Sequence, residues 1–149
     1  MDNDGPQIEE VTIKKTDASR KTLRYLQLAK KMASCSTYGN FRHGAVLIGG
    51  GNAIIGMGVN SEKYSSIGAK YRPDHKGQST YHAEIVSVNN IARNLTKGAT
   101  IFVARIAKNS GEDRMSKPCS MCHAVLKAQG VKKVYYTIDN ETIGYYKIT

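Results

Sequence analysis

Two short segments limit what this chain can be. His82-Ala83-Glu84 opens one apolar-periodic run, and Pro118-Cys119-Ser120-Met121-Cys122 opens another. Each stands where a helix is expected to begin, and a strand-like run, Thr100–Arg105, lies between the two. Cysteines at positions i and i+3 of a first helical turn project their sulfurs to the same side, within reach of one ion. A helix N-terminus favours negative charge, which lowers thiol pKa and keeps both sulfurs as thiolates. Using all three side chains at one ion therefore requires the two helix starts to meet.

The rest of the chain reads around those starts. Its 149 residues suit one domain. Residues 1–17 read as a flexible N-terminal arm or a short edge strand, with brief alternation at Ile8, Val11 and Ile13, and 18–149 as a single domain. A helix is expected from near Ser19, capped by Asp17 or Ser19, with Leu23, Leu26, Ala29, Met32 and Ala33 on one face. It ends by the Tyr38-Gly39-Asn40 turn. Ala45–Ile48 and Ala53–Val59 flank Gly49-Gly50-Gly51-Asn52, a hairpin pattern. Residues 60–80 read as a polar loop, 81–94 as a second helix and Cys119–Gln129 as a third, closed by Gly130. Val131–Ile138 is a fourth strand and Thr142–Ile148 a short antiparallel return. This order predicts an α/β fold with one mixed five-stranded sheet covered by helices.

Charge and cysteine usage narrow the setting. Net charge is +10, and five of the 12 acidic residues precede residue 18 while two follow residue 138. The strongly basic body between suits anionic partners such as nucleotide phosphates or nucleic acid, or is a solvated lysine-rich surface. No apolar stretch is long enough to span a membrane, and the first thirty residues hold no signal-peptide core. Three cysteines, an odd number, argue against a disulfide framework and fit a reduced, cytoplasmic compartment.

One imidazole and two thiolates make a tetrahedral-type Zn²⁺ set with the fourth position open to water, as in catalytic sites. Two thiolates cancel the ion's formal charge, so the water needs a further base, and Glu84 stands two residues beyond His82. A lone C-x-x-C also fits a fragment of a structural zinc knuckle or a redox pair. A structural site needs a fourth protein ligand, however, and Cys35, the spare thiol, reads as core. A redox pair leaves His82-Ala83-Glu84 unexplained. His75 reads as solvent-facing, and His43 either lines the pocket or is structural.

Taken together, these motifs resemble the zinc-dependent cytidine and deoxycytidylate deaminase superfamily, whose signature is H-x-E…P-C-x-x-C. Arg42-His43-Gly44-Ala45-Val46-Leu47-Ile48 is similar to that family's first strand. Gly56-Met57-Gly58-Val59-Asn60 is similar to its second, which ends in a substrate-contacting asparagine. The likeness spans roughly residues 20–138. It implies a three-layer α/β/α cytidine deaminase-like fold with helices on both faces of the sheet. It also implies Zn²⁺ held by His82, Cys119 and Cys122, with Glu84 as the catalytic proton shuttle for attack of activated water on the amine-bearing ring carbon. Asn60 would bond the base or sugar, the Ala83 backbone would accept from the exocyclic amine, and Tyr81, Tyr38 or Phe41 would stack on the base. A homo-oligomer is implied as well.

Three substrate readings compete. The first is a small-molecule cytosine nucleotide, dCMP foremost, converted to dUMP with ammonia release. Its phosphate would meet Arg114 and Lys117, beside Lys108, on the loop leading to the metal ligands, or Lys63, Lys70, Arg72 or Lys76 after Asn60. The second is editing of cytosine or adenine within tRNA or single-stranded DNA. The third is a non-catalytic zinc-containing nucleotide-binding module, against which Glu84 stands. Val86 departs from the asparagine many deoxycytidylate deaminases carry there. Eleven residues after Ile138 leave no room for the further helix and strand of the polynucleotide branches.

Overall fold

A computed structural model describes residues 9–36, 42–61 and 82–149. Strand β1 (Val11–Lys14) and a 3-10 turn lead into α1 (Arg20–Ser34). Next come β2 (Arg42–Ile48), β3 (Ile54–Val59), α2 (Ala83–Val88), α3 (Arg93–Thr96), β4 (Thr100–Ile106) and β5 (Asp113–Arg114). Helix α4 (Ser120–Ala128), β6 (Lys133–Thr137) and β7 (Thr142–Lys147) complete the chain.

One sheet runs in the order β1-β7-β6-β4-β2-β3, with β5 added to β4. Among the described residues only β4 and β6 pair in parallel, through the α4 crossover, and β7 returns antiparallel to β6. Alternation along the central strands divides their side chains between two cores. Ala45, Leu47, Ile101 and Val103 pack with Ile85 and Val88 of α2 and Met121, Val125 and Leu126 of α4. Val46, Ile48, Phe102 and Ala104 pack on Tyr25, Leu26 and Ala29 of α1. Helices therefore cover both faces, and the three-layer α/β/α arrangement holds.

Local signals act as expected at several ends. Ser19 caps α1, its hydroxyl accepting from the Thr22 N–H. Gly51 (φ 68°) and Asn52 (φ 62°) make the left-handed turn between β2 and β3, and Gly130 (φ 81°) follows the end of α4.

Three expectations are corrected. Among the described residues the sheet has seven strands rather than five. One addition is β1, so of the two readings of the N-terminal arm the edge strand holds for its described part, registered Val11↔Tyr145 to Lys14↔Thr142 on β7. Ile13 anchors it by packing against the α1 core. The other is β5, a short return on β4. Its Asp113 carboxylate, 1% exposed, accepts from Lys15 (2.5 Å) and forms an ion pair with Lys30 (2.8 Å), while the Asp113 N–H donates to Asn140 Oδ1. Two ammonium groups compensate a carboxylate too buried to stand alone. Second, the helix expected over 81–94 is broken: α2 ends at Val88, and Asn90 adopts φ 63°, which asparagine tolerates better than most residues. Third, Cys35 is exposed rather than core, because it lies off the Leu26–Ala29–Ala33 face and caps α1.

Two glycines set the height of α2 above the sheet. A Cβ on Gly56 would stand 2.0 Å from the Ser87 carbonyl oxygen, and one on Gly58 2.5 Å from that of Ala83. Helix backbone thus rests directly on strand backbone, one helical turn per two strand residues. Gly58→Ala is expected to lower stability by about 1–3 kcal/mol, a Tm loss of several degrees, through overpacking. Thermal unfolding measures it, and an unchanged Tm would mean that α2 is not held by this contact.

Candidate metal centre

Both ligand-bearing segments enter their helices in extended conformation. His82 is the N-cap residue of α2 (φ −93°, ψ 150°) and Cys119 that of α4 (φ −70°, ψ 172°). The approach to Cys119 is pinned by a buried knot at Ser116 and Thr137. The Ser116 hydroxyl lies 3.0 Å from the Val103 carbonyl, the Thr137 N–H donates to it at 2.8 Å, and the Thr137 hydroxyl donates to the Arg114 carbonyl at 2.7 Å. Packing of α2 and α4 on the same sheet face then brings the two starts together.

The ligand atoms of His82, Cys119 and Cys122 lie within 4.8 Å of one another. His82 Nδ1 stands 3.2 Å from Cys122 Sγ, so this ring nitrogen is the one that faces the sulfurs. Hydrogen bonding from Cys122 chiefly, and from His82, holds the Cys119 thiol at about 3, against a burial that pushes upward. The cluster is therefore a preformed thiolate–imidazole set. Glu84 is 4% exposed, and its Oε1 has no hydrogen-bond partner among the described residues. Burial raises this carboxyl to about 6; the Cys119 charge adds to that rise and His82 opposes it.

A further layer joins at the ends of β2, β3 and β4. His43, opposite Arg105 in the sheet register, is held down at about 4, first by burial, then by the charges of Arg105 and His82. Asn60, 7% exposed, follows β3 directly, and its Oδ1 accepts from the Ser36 hydroxyl (2.6 Å) and the His43 N–H (3.0 Å). Ala83 is fully buried, with its carbonyl against Gly58.

The remaining sequence candidates separate. Arg114 opposes Arg105 across β4 and β5, and both line a cleft of about 370 Å³ with Lys108, Asn109 and Ser110. Glu112 pairs with Arg114 at 3.1 Å. Lys117 instead forms an ion pair with Glu10 and lies 6.0 Å above the Tyr146 ring. Tyr81, Tyr38, Phe41, His75, Lys63, Lys70, Arg72 and Lys76 lie outside the described residues.

Three residues at the site were not singled out from sequence. Ser36 and Arg105 carry no local motif. Tyr146 is 1% exposed, and its hydroxyl pKa is raised by burial first and then by the Glu84 charge. Alternation along β7 was the available signal for its inward face.

Residues 19–138 match the family model for the cytidine and deoxycytidylate deaminase zinc-binding region, and the chain belongs to that family. Among solved structures, dCMP deaminase from the cyanophage S-TIM5 in apo form is 19% identical, with a TM-score of 0.54 over 80% of this chain and 84% of that one. It shares the fold. Cytidine deaminase from Mycobacterium tuberculosis is 21% identical, with a TM-score of 0.47 over 79% of this chain and 89% of that one. RibD from Acinetobacter baumannii is 21% identical, with a TM-score of 0.48 over 78% of this chain; the match spans 28% of the RibD chain. No curated protein matches. Among the described residues, no helix is long and apolar enough to cross a membrane.

The His43 environment has a measurable sign. Its ring, ordinarily near 6.5, stays neutral in the folded chain down to about 4, whereas the unfolded chain takes up the proton below 6.5. Folding stability is therefore lost as pH falls from 6.5 towards 4. Tm measured across that window should fall more steeply for the wild type than for His43→Gln; parallel curves would place His43 in solvent.

Proposed function

We propose that this chain is a zinc-dependent hydrolytic deaminase of a cytosine nucleotide, with dCMP as substrate and dUMP and ammonia as products. The observation that carries it is the buried Glu84 carboxylate, whose Oε1 has no protein partner among the described residues, beside the His82–Cys119–Cys122 cluster. A buried polar atom left unpaired costs about 1–3 kcal/mol, which a reacting water or base would relieve.

The donor set fits zinc. Zinc–nitrogen and zinc–sulfur bonds of about 2.0–2.3 Å put tetrahedral donors roughly 3.5 Å apart, and the three atoms here already lie within 4.8 Å. His82 Nδ1 and the sulfurs of Cys119 and Cys122 would hold the ion, leaving one position open. Bound there, zinc supplies Lewis acidity that lowers the pKa of a water to near neutrality. Glu84, raised to about 6, is poised both to accept and to return a proton near neutral pH. It takes a proton from the attacking water and delivers it to the ring nitrogen. It then relays the proton left on the attacking oxygen to the exocyclic amine, as the bond between the ring carbon and that amine breaks, a carbonyl forms and ammonia leaves. The Ala83 carbonyl is assigned to the exocyclic amine, Asn60 to an acceptor on the base or sugar, and Tyr81 to stacking, with His43 lining the pocket. The substrate phosphate is assigned to the cleft lined by Arg105, Lys108 and Arg114. Arginines directly opposed across two strands repel one another, and a bound phosphate would relieve that repulsion. Lys117 pairs with Glu10 and does not line this cleft.

The net charge of +10 favours a second reading, deamination of a base within RNA or single-stranded DNA. The family resemblance also supports a homo-oligomer.

Ammonia release from cytidine, deoxycytidine, their monophosphates and a cytosine-bearing oligonucleotide tests the proposal. Turnover of dCMP above the others is expected, and Arg114→Ala should erase most of the preference for dCMP over deoxycytidine. Oligonucleotide turnover with affinity falling steeply as salt rises would favour the second reading. Glu84→Gln should keep zinc near one per chain by atomic spectrometry while lowering turnover by about 10²–10⁴-fold. Cys119→Ala or Cys122→Ala should empty the site, and retained zinc would overturn the ligand assignment.

A further inference from the structure

Four rings run in a row across the α1 face of the sheet. Tyr25 of α1 meets Phe102 of β4 with centroids 5.1 Å apart, and Phe102 stacks on Tyr135 of β6 at 5.1 Å and 6°. Tyr135 in turn meets Tyr145 of β7 at 4.7 Å. Tyr25 and Phe102 are buried, whereas Tyr135 and Tyr145 are half-buried. One side of the Tyr145 ring is taken by Tyr135; the next place in the row belongs to Val11, directly opposite on β1 and 52% exposed. The row thus ends in an open apolar shelf where a further flat ring would continue it.

Ammonium groups border the row. Lys133 and Lys147 stand two residues from Tyr135 and Tyr145 along the same strands, hence on the same face, and oppose one another directly in the β6–β7 register. Both are exposed, and neither has an acidic partner among the described residues. Like charges facing across a ladder repel, and a bound anion would relieve them. At the other end of the row a cleft of about 170 Å³ is lined by Tyr25, Phe102, Tyr135, Lys133 and Lys21, with no acidic residue in its lining. The Lys21 ammonium donates to Asn52 Oδ1 at 3.1 Å, which holds it at the rim. An apolar cavity of about 150 Å³ accepts a benzene ring, so one pyrimidine ring fits this cleft. Cleft and shelf lie three strand spacings apart, from β4 to β1, roughly 14 Å. The Lys133–Lys147 pair stands between them.

We propose that this row is a second binding site, for single-stranded nucleic acid: one base enters the cleft, another stacks on Tyr145 above Val11, and the phosphates joining them pass over Lys133 and Lys147. Aromatic rings on a sheet, flanked by cations, suit unpaired bases, and a net charge of +10 draws a polyanion to them. Bases inside a duplex have no free face to offer. The row lies on the opposite face of the sheet from α2 and α4. It also takes in the start of β4 at Thr100, whereas His43 of the metal side faces Arg105 near the end of that strand. The site therefore goes beyond the deaminase reading and does not depend on it.

The test titrates the full-length, zinc-loaded protein into a fluorescein-labelled oligothymidylate and follows anisotropy. Thymine carries no amine to lose, so no deamination accompanies binding. Affinity should fall as salt rises. Tyr145→Ala should weaken binding about tenfold, the scale of one base stack, and Tyr145→Phe, which keeps the ring, should bind as the wild type does. Lys133→Gln combined with Lys147→Gln should reduce the slope of log affinity against log salt by about 1.4, two single-strand phosphate contacts at about 0.7 each. Both lysines are exposed, so this pair tests the site even where Tyr145→Ala fails to fold. Zinc content should stay unchanged in every folded variant. Absence of binding at low salt, or an unchanged slope in the lysine variant, overturns the inference. So does a Tyr145→Phe loss equal to that of Tyr145→Ala, or equally tight binding of a duplex or of thymidine monophosphate. None of these outcomes bears on the deaminase reading, which ammonia release tests separately.

Discussion

Contact of helix backbone with strand backbone is the constraint on which the rest of this molecule depends. Gly56 and Gly58 let α2 settle onto β3 where any side chain would hold it off. The descent carries His82 and Glu84 into the layer that α4 also occupies. With the α2 N-terminus fixed against β3, and the α4 N-terminus fixed by the Ser116–Thr137 knot, three ligand atoms converge. Small residues in a strand and a hydroxyl pair at a crossover thus do the positioning, and the reactive side chains themselves contribute little to it.

Electrostatics at the meeting point is organised around unlike tasks for neighbouring groups. Cys119 is held as a thiolate, Glu84 is pushed up to about 6 by its burial, and His43 is kept neutral by burial and by the charge of Arg105. Two cysteine sulfurs, an imidazole and a carboxyl meet in one small volume, and a bound cation there would offset the Cys119 charge. The same environment that makes Glu84 a weak acid makes it a useful proton carrier. Further out, charge serves structure: Asp113 between Lys15 and Lys30 ties the β4–β5 hairpin to the N-terminal edge and α1, while Glu10 takes the ammonium of Lys117.

Much of this was legible in the residues. The Ser19 cap, the glycine turn after β2, Gly130 behind α4 and the alternation in β2 and β4 are local rules obeyed locally. The spacing of Cys119 and Cys122, and the place of His82 and Glu84 at a helix start, identified the cluster because helical geometry is the same in every fold. Strand β1 was read only as one of two alternatives because its partner β7 lies at the far end of the sequence, and β5 escaped because its two residues are too few to show a pattern. The break after Val88 escaped because asparagine tolerates helical and left-handed backbone alike, and the neighbouring packing chooses. Cys35 was misplaced by a periodicity extended one residue past the helix end.

The amino-acid sequence by itself determined which side chains can form the cluster, since donor chemistry and the i, i+3 repeat are properties of the residues. It also pointed to one mixed sheet covered by helices, while helices on both faces followed from the family resemblance of the motifs. Tertiary structure alone decided that Lys117 answers Glu10 while Arg114 faces Arg105, and that Ser36 and His43 grip Asn60. Those pairings join residues from 9 to 107 positions apart, and no local pattern encodes a distance that only the closed sheet makes short.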